Sequence, residues 1–290
     1  MPKTLEVFNI WYFMYIIIGA LIVIGGYFLM RKRSKRAQKI FIFTLCAINL
    51  AVHFLKLLLP EYQVDYPASW RKTTFESICD VSVLTFPFIF MTKNKTLKDY
   101  VVLLSMIGGA VAFFVPTGAW GFEPFRLATG RFYLSHLLLV CEGVYMIAFD
   151  IHRPAYERLW RAPIMLFLVL GLILVNEVIV RSIGLTEQTL GEMLTNLEQR
   201  NAIYLFGFPE NIADKLTFVT ALVPDFMKHG FDFYGKGASC GYWPWLWMFC
   251  PIMVYGEIFI HLFGLIWEHK RIKEYFKKKK LKKDKADVVY

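Results

Sequence analysis

Three side chains set the chemical question. In the stretch "ESICDVSV" a thiol and a carboxylate, Cys79 and Asp80, stand side by side, and an imidazole, His136, follows 57 residues after the cysteine in "RFYLSHLLLV". A thiol in apolar surroundings is a poor nucleophile until a nearby base takes its proton. Cys79 and His136 would form such a pair if their elements touch. Asp80 points about 100° away from Cys79 on a helix. It could orient His136 or His53, although a bare carboxylate beside Cys79 would oppose thiolate formation. A cysteine with an imidazole base suits acyl transfer through a thioester, or acyl hydrolysis where water reaches that thioester. Such chemistry needs no cofactor and no metal.

The elements that must hold these groups belong in a membrane. Of the 290 residues, 57% are hydrophobic and 17% aromatic, an excess that places the chain among integral membrane proteins. Seven apolar stretches, roughly 8–30, 39–59, 74–92, 99–115, 131–150, 162–183 and 243–267, approach the 20 or so helical residues that cross a hydrocarbon core. The fourth is the shortest and the third the most polar, so six or five spans with re-entrant pieces is the main rival. With seven spans and the N-terminus outside, the inner segments carry 22 of the 33 Lys and Arg residues, which satisfies the positive-inside rule. The first stretch is too long in its apolar part, and lacks the small-x-small site, to be a cleaved signal peptide. The expected architecture is all-α: a seven-helix transmembrane domain over 1–267 with an outer insertion at about 184–242, then a basic cytoplasmic tail, 268–290, in a plasma-membrane protein.

Depths follow from these spans. Cys79 and Asp80 fall about one and a half turns below the outer surface, and His136 lies at a matching depth on the fifth helix. His53 is six residues from the outer end of the second helix, and Asn176 and Glu177 are six or seven from that of the sixth. Four helices thus bring polar side chains to one level. Positions three and four apart share a helix face, so Cys46, Asn49, His53 and Lys56 make one stripe, and Glu76, Cys79, Asp80 and Val83 another. Facing each other, these stripes would line an outward-open cavity, with His53, Asn49, Asn176 and Glu177 on its walls. The competing interpretation is polar glue between helices. The level also matches the ester bonds of a phospholipid, so a phospholipid or lysolipid is the expected substrate.

Other readings stay open. A non-enzymatic seven-helix transporter or receptor would use the same cavity for a ligand. Glu257 and His261, four apart with Cys250 seven residues before Glu257 on the same broad face, would suit a proton or ion path. A metal-dependent lipid hydrolase would draw on His53, Asp80, His136 and Glu177, a donor set that zinc accepts, without any HExxH-like local spacing. The five cysteines show no zinc or disulfide pattern. The net charge of +10 is concentrated in the lysine tail, which argues against a nucleic-acid partner and for contact with anionic inner-leaflet lipids.

The motifs "SICDVSVLTFPF", "RFYLSHLLLV" and a last span opened by "YWPWLWMF" together resemble the YwaF-like bacterial integral membrane proteins, from about residue 8 to 267. That group in turn looks related to the transmembrane protein 164 family, described as ether-phospholipid acyltransferases with a Cys and His pair. The resemblance implies Cys79 as the acyl-accepting nucleophile, His136 as its base and the bacterial cytoplasmic membrane as the location. It also aligns Asn201, a further candidate for binding substrate or lining the cavity, and Pro209 with family positions, while Ala202 departs from the expected Tyr. The segment 184–242 is longer than expected. In it "TEQTLGEMLTNLEQR" reads as an amphipathic helix with Leu190, Met193, Leu194 and Leu197 on one face, and the segment would lie over the cavity mouth as a lid.

Overall fold

The computed structural model describes residues 3–64, 68–186, 189, 192, 205–207, 217–228, 242–266, 268, 269 and 273. Among them the chain is helical, with no strand. Six helices are long and apolar enough to cross a membrane: α1 (Ile10–Met30), α2 (Lys35–Leu55, carried on to Leu58 by a 3-10 turn), α4 (Lys95–Phe114), α5 (Leu127–Ala148), α6 (Arg161–Ser182) and α7 (Leu246–Ile266). Between α2 and α4 lies α3 (Ile78–Met91), apolar but only 14 residues long. At 1.5 Å per residue it extends about 21 Å, short of a core of about 30 Å.

The third stretch, expected over 74–92, starts late for a local reason. Residues Ala68–Thr73 form a 3-10 turn, and the Glu76 amide bonds to the Thr74 carbonyl at 2.8 Å, which keeps the chain off the helix until Ser77. Ser77 Oγ then accepts from the Asp80 amide at 3.1 Å and donates to Asp80 Oδ2 at 2.6 Å. This N-cap fixes where Cys79 and Asp80 sit. Asn9, Ser34 and Asn94 cap α1, α2 and α4 in the same way.

Helices α2 to α6 form the centre, where Ile42, Phe86, Val102, Met146 and Ile173 are buried. Small residues let α4 and α5 approach closely. A Cβ on Gly109 would lie 2.9 Å from the His136 carbonyl, and one on Gly143 would lie 2.8 Å from the Val102 carbonyl. Helix α1 is peripheral, with Ile17, Leu21 and Ile24 exposed on its outer side. It is tied in by the Tyr15 ring stacked on Tyr133 at 3.9 Å and by Tyr12 Oη donating to the Phe114 carbonyl at 3.0 Å.

Helix α7 opens at "WPW". Trp245 takes a left-handed backbone, φ 63°, which turns its ring onto Phe167 at 4.6 Å and its Nε1 to the Phe167 carbonyl at 2.7 Å. Gly171 leaves the room, since a Cβ there would be 2.9 Å from that ring. After Pro251, which has no N–H to give, a π turn spans Ile252–Gly256.

Hydrogen bonds identify two ends of the bundle. At one, Leu5 pairs with Gly121 and Phe122 through the backbone, and Asn176 Nδ2 donates to Thr74 Oγ1 at 2.9 Å. At the other, Lys35 reaches the Phe149 carbonyl and Arg161 the Thr96 hydroxyl.

Candidate active site

At the first end a cavity of about 180 Å³ opens between α2, α3 and α5, lined by His53, Lys56, Tyr62, Lys72, Glu76, Ser77, Cys79, Asp80, Val83, Arg131, Ser135 and His136. Cys79 and His136 therefore share one wall space, and no helix stands between them. Both are half-buried. Among the described residues no hydrogen bond joins the thiol to the imidazole, an arrangement common before substrate is present.

His136 is oriented by its own helix. Its Nδ1 lies 2.7 Å from the Phe132 carbonyl, and a carbonyl can only accept. Nδ1 therefore carries the hydrogen, which leaves Nε2 of the neutral ring as the acceptor. The Phe132 ring, 4.3 Å away between centroids, packs against the imidazole and restricts its rotation. On the other side, Gly108 keeps the space beside the sulfur open, since a Cβ there would sit 3.8 Å from Cys79 Sγ.

Asp80 faces α2. Its Oδ1 is 3.4 Å from His53 Nδ1 and 3.7 Å from Lys56 Nζ, and its Oδ2 accepts from Ser77. His53 and Lys56 are 2% and 5% exposed, so this carboxylate is the counter-charge that lets Lys56 stay buried. His53 is fixed from the other side by the Thr73 carbonyl, 3.1 Å from Nε2. Among the described residues no hydrogen bond or ion pair runs from Asp80 to His136; between the two imidazoles, Asp80 pairs with His53.

The remaining expected residues lie around this cavity and not on its wall. Asn49 is one layer deeper, where its Oδ1 accepts from Ser135 Oγ at 2.8 Å and its Nδ2 donates to the Ser135 carbonyl and to Glu142 Oε1, both at 3.3 Å. It joins α2 to α5 behind the wall that Ser135 presents. Asn176 holds Thr74. Glu177 is fully buried, bonded to Arg181 and 3.7 Å from Arg71, while Arg71 also holds Glu76 at 2.5 Å. These two residues of α6 brace the turn that leads into α3. Asn201 lies outside the described residues, as do Cys240, Pro209 and the expected amphipathic helix at Leu190, Met193, Leu194 and Leu197.

One further expectation needs correction. His53, Asp80, His136 and Glu177 do not form a donor set, because Glu177 is committed to arginines outside the cavity; among the described residues no three His, Cys, Asp or Glu side chains group as metal ligands would. Glu257 and His261 form a local pair, His261 Nδ1 being 2.8 Å from the Glu257 carbonyl and 3.2 Å from its carboxylate, edge-on to Tyr156 and away from the cavity. Of the segment 184–242, the described Leu205 and Phe206 are buried, and the Trp245 amide and Trp247 indole bond to the Leu205 carbonyl. None of its described residues lines the cavity.

Sequence reasoning missed Lys72 and Tyr62, which lie outside the apolar stretches, Arg131, which opens the fifth, and Glu142, whose place inside "LLLVCEGVYM" was signal enough. A carboxylate in mid-span is expensive. Glu142 is buried with Asn49 on one oxygen and, among the described residues, nothing on the other.

Comparison with curated proteins gives no match, and comparison with solved structures gives none either. A family model, that of the TMEM164 family, matches residues 4–196. The matched part holds α1 to α6 and every residue on the cavity wall, and it is about two thirds of the 290 residues. This multi-pass, all-helical membrane chain belongs to the TMEM164 family.

Proposed function

We propose that the chain is a lipid acyltransferase, or acyl hydrolase, that works from the outer leaflet with Cys79 as nucleophile and His136 as base. The observation that carries this is the shared cavity, lined by both the thiol and an imidazole whose Nε2 is left as a proton acceptor. The steps balance on these two residues. The Cys79 proton passes to His136 Nε2, and sulfur attacks the carbonyl carbon of a phospholipid ester. The bond from that carbon to the glycerol oxygen breaks, and His136 returns the proton to the leaving alcohol. A lysolipid hydroxyl then gives its proton to His136 and attacks the thioester, and the C–S bond breaks as His136 passes that proton to the sulfur, restoring the Cys79 thiol and the neutral imidazole. Water in place of the lysolipid gives hydrolysis. Gly108 leaves the room beside the sulfur that a tetrahedral carbon requires.

The topology that fits this reading has seven spans, α3 being the short third one, with the cavity end and the N-terminus outside. Lys and Arg are concentrated at the opposite end, as the positive-inside rule requires of a cytoplasmic face. On this reading the Cys-Asp, Ser-His and Trp-Pro-Trp motifs make the chain a YwaF-like member in a bacterial cytoplasmic membrane. The basic tail would rest on anionic lipids there.

Protein reconstituted in nanodiscs with a donor phospholipid and an isotopically labelled lysolipid tests the proposal by mass spectrometry of the lipids. Labelled diacyl lipid shows transfer, and free fatty acid shows hydrolysis. Cys79→Ala and His136→Ala are expected to lose both products. Wild-type turnover in Cys79→Ala would contradict the assignment.

A further inference from the structure

Two buried polar atoms at the site lack a partner among the described residues, Arg131 Nε on the cavity wall and Glu142 Oε2 behind it. Glu142 is the group that the acyl-transfer steps leave without a task. It sits six residues beyond His136 on α5, about 9 Å further from the cavity end of the bundle, and six before the helix ends at Ala148. It is 1% exposed. Its Oε1 accepts from Asn49 Nδ2 at 3.3 Å, and among the described residues no Lys, Arg or His pairs with it. A carboxylate without a counter-charge inside a span is costly, whereas the neutral acid keeps the same hydrogen bond at a smaller penalty.

The bonds around Asn49 give this contact its direction. The Ser135 carbonyl can only accept, so the Asn49 atom 3.3 Å from it is Nδ2, and Oδ1 faces Ser135 Oγ, 2.8 Å away. Both amide hydrogens are then placed, one on the Ser135 carbonyl and one on Glu142 Oε1, and the Ser135 hydroxyl hydrogen goes to Asn49. Oε1 is thus the carbonyl oxygen of the acid, and Oε2 carries its proton. Ser135, which lines the cavity and immediately precedes His136, is held to α2 by its backbone and its side chain together. Without Glu142, one Asn49 N–H would be buried with no acceptor, and the amide would be free to turn and release Ser135.

We infer that Glu142 is a neutral acid and a positioning residue, which through Asn49 fixes Ser135 and thereby the placement of His136 beside Cys79. The inference rests on the acyl-transfer reading for the use of His136, while the proton on Glu142 and its bond to Asn49 stand apart from that reading.

Infrared spectra and the reactivity of Cys79 test the two halves. At neutral pH in detergent, wild type minus Glu142→Gln is expected to show the C=O band of a protonated carboxyl group. Asn49→Leu should move that band to higher frequency as the carbonyl loses its donor. No such band, or a band that Asn49→Leu leaves in place, overturns the inference. The placement of His136 is read without lipid from the rate at which iodoacetamide alkylates Cys79, followed by peptide mass. Glu142→Met is expected to slow alkylation about fivefold to tenfold, as the loss of one buried hydrogen bond implies. Glu142→Gln, which keeps an acceptor for Asn49, should recover the rate, and His136→Ala sets the floor. A wild-type rate in Glu142→Met where His136→Ala is slow, or no recovery in Glu142→Gln, overturns the inference alone. Equal rates in wild type and His136→Ala overturn the acyl-transfer reading and the positioning role with it, while the infrared band still decides the state of Glu142. If Glu142→Met does not fold, Asn49→Leu, which removes the same bond from its other end, decides by the same criterion.

Discussion

The two ends of the bundle each bury a carboxylate among cations and an imidazole, and they do so differently. At the Lys35 end, Asp99 of α4 receives Arg158 Nε and Nη2 at 2.6 and 3.1 Å and lies 2.7 Å from His152 Nε2. Both of its oxygens are used by well-directed donors, and the start of α4 is thereby fastened to the α5–α6 connection. At the other end, Asp80 stands 3.4 and 3.7 Å from its imidazole and ammonium, beside a cavity of about 180 Å³ and a guanidinium nitrogen without an acceptor. Residue types alone would not separate the two. Open volume does not separate them either, since a cavity of about 560 Å³ lies against His152 and Arg158; what differs is that short, saturated contacts mark a lock between helices, while longer contacts beside an unmet donor mark a place left for a ligand.

Four changes would break or sharpen this contrast. The largest effect is expected from His136→Ala, which should cut acyl turnover by about 10²- to 10⁴-fold, the range for removing a general base, with the melting temperature little changed. A large loss of melting temperature with turnover retained would make the outer cluster another lock. Asp99→Ala should do the reverse. Breaking a buried pair costs about 3–5 kcal/mol, and since Arg158 is a quarter exposed about 2–3 kcal/mol is expected after screening, read by denaturation in detergent, with turnover per folded molecule retained.

Neighbouring glycines give a finer comparison. Gly109→Ala must push α4 from α5 at the His136 carbonyl, 2.9 Å from the new Cβ. A cost of about 1–3 kcal/mol is expected for such overpacking, together with lower turnover. Gly108→Ala meets only Cys79 Sγ, at 3.8 Å. It should leave the melting temperature unchanged and slow only the reaction at sulfur, as measured by single-turnover acylation.

The smallest effect concerns Glu61, whose carboxyl is held below the usual carboxylate range chiefly by the hydrogen bond from Arg126 Nε, 2.8 Å away. A depressed folded value means that the contact stabilises above the unfolded value and is lost as pH falls through the folded one. The small melting difference between wild type and Glu61→Gln should therefore be present at neutral pH and disappear as pH falls through the depressed Glu61 value. A difference that grew on acidification would show that Arg126 does not act through Glu61.

The helices were legible because their apolar length is a property of composition alone, and the membrane-embedded, all-α class followed from it. The start of α3 was not. Thr74 and Glu76 are compatible with a helix, and only the 3-10 turn before them and the Ser77 cap hold them out of it. Of the candidate site, the level was legible, since counting residues from span ends puts His53, Cys79, Asp80 and His136 at one depth, and these four line one cavity. What counting could not give was rotation about each helix axis. Asn49 and Asn176 have the right depth, yet one joins α2 to α5 and the other braces the turn before α3. Arg131, Lys72 and Tyr62 escaped because connecting segments and helix ends carry no periodic signal.

The central claim is that Cys79 accepts an acyl group, and the intact mass of detergent-purified protein after incubation with mixed phospholipids tests it most directly. An added acyl mass on wild type that neutral hydroxylamine removes, and that Cys79→Ala never acquires, is the predicted result. Unmodified mass in wild type with every lipid tried, in a preparation that still binds lysophospholipid, would contradict the claim and leave the cavity a binding site without a nucleophile.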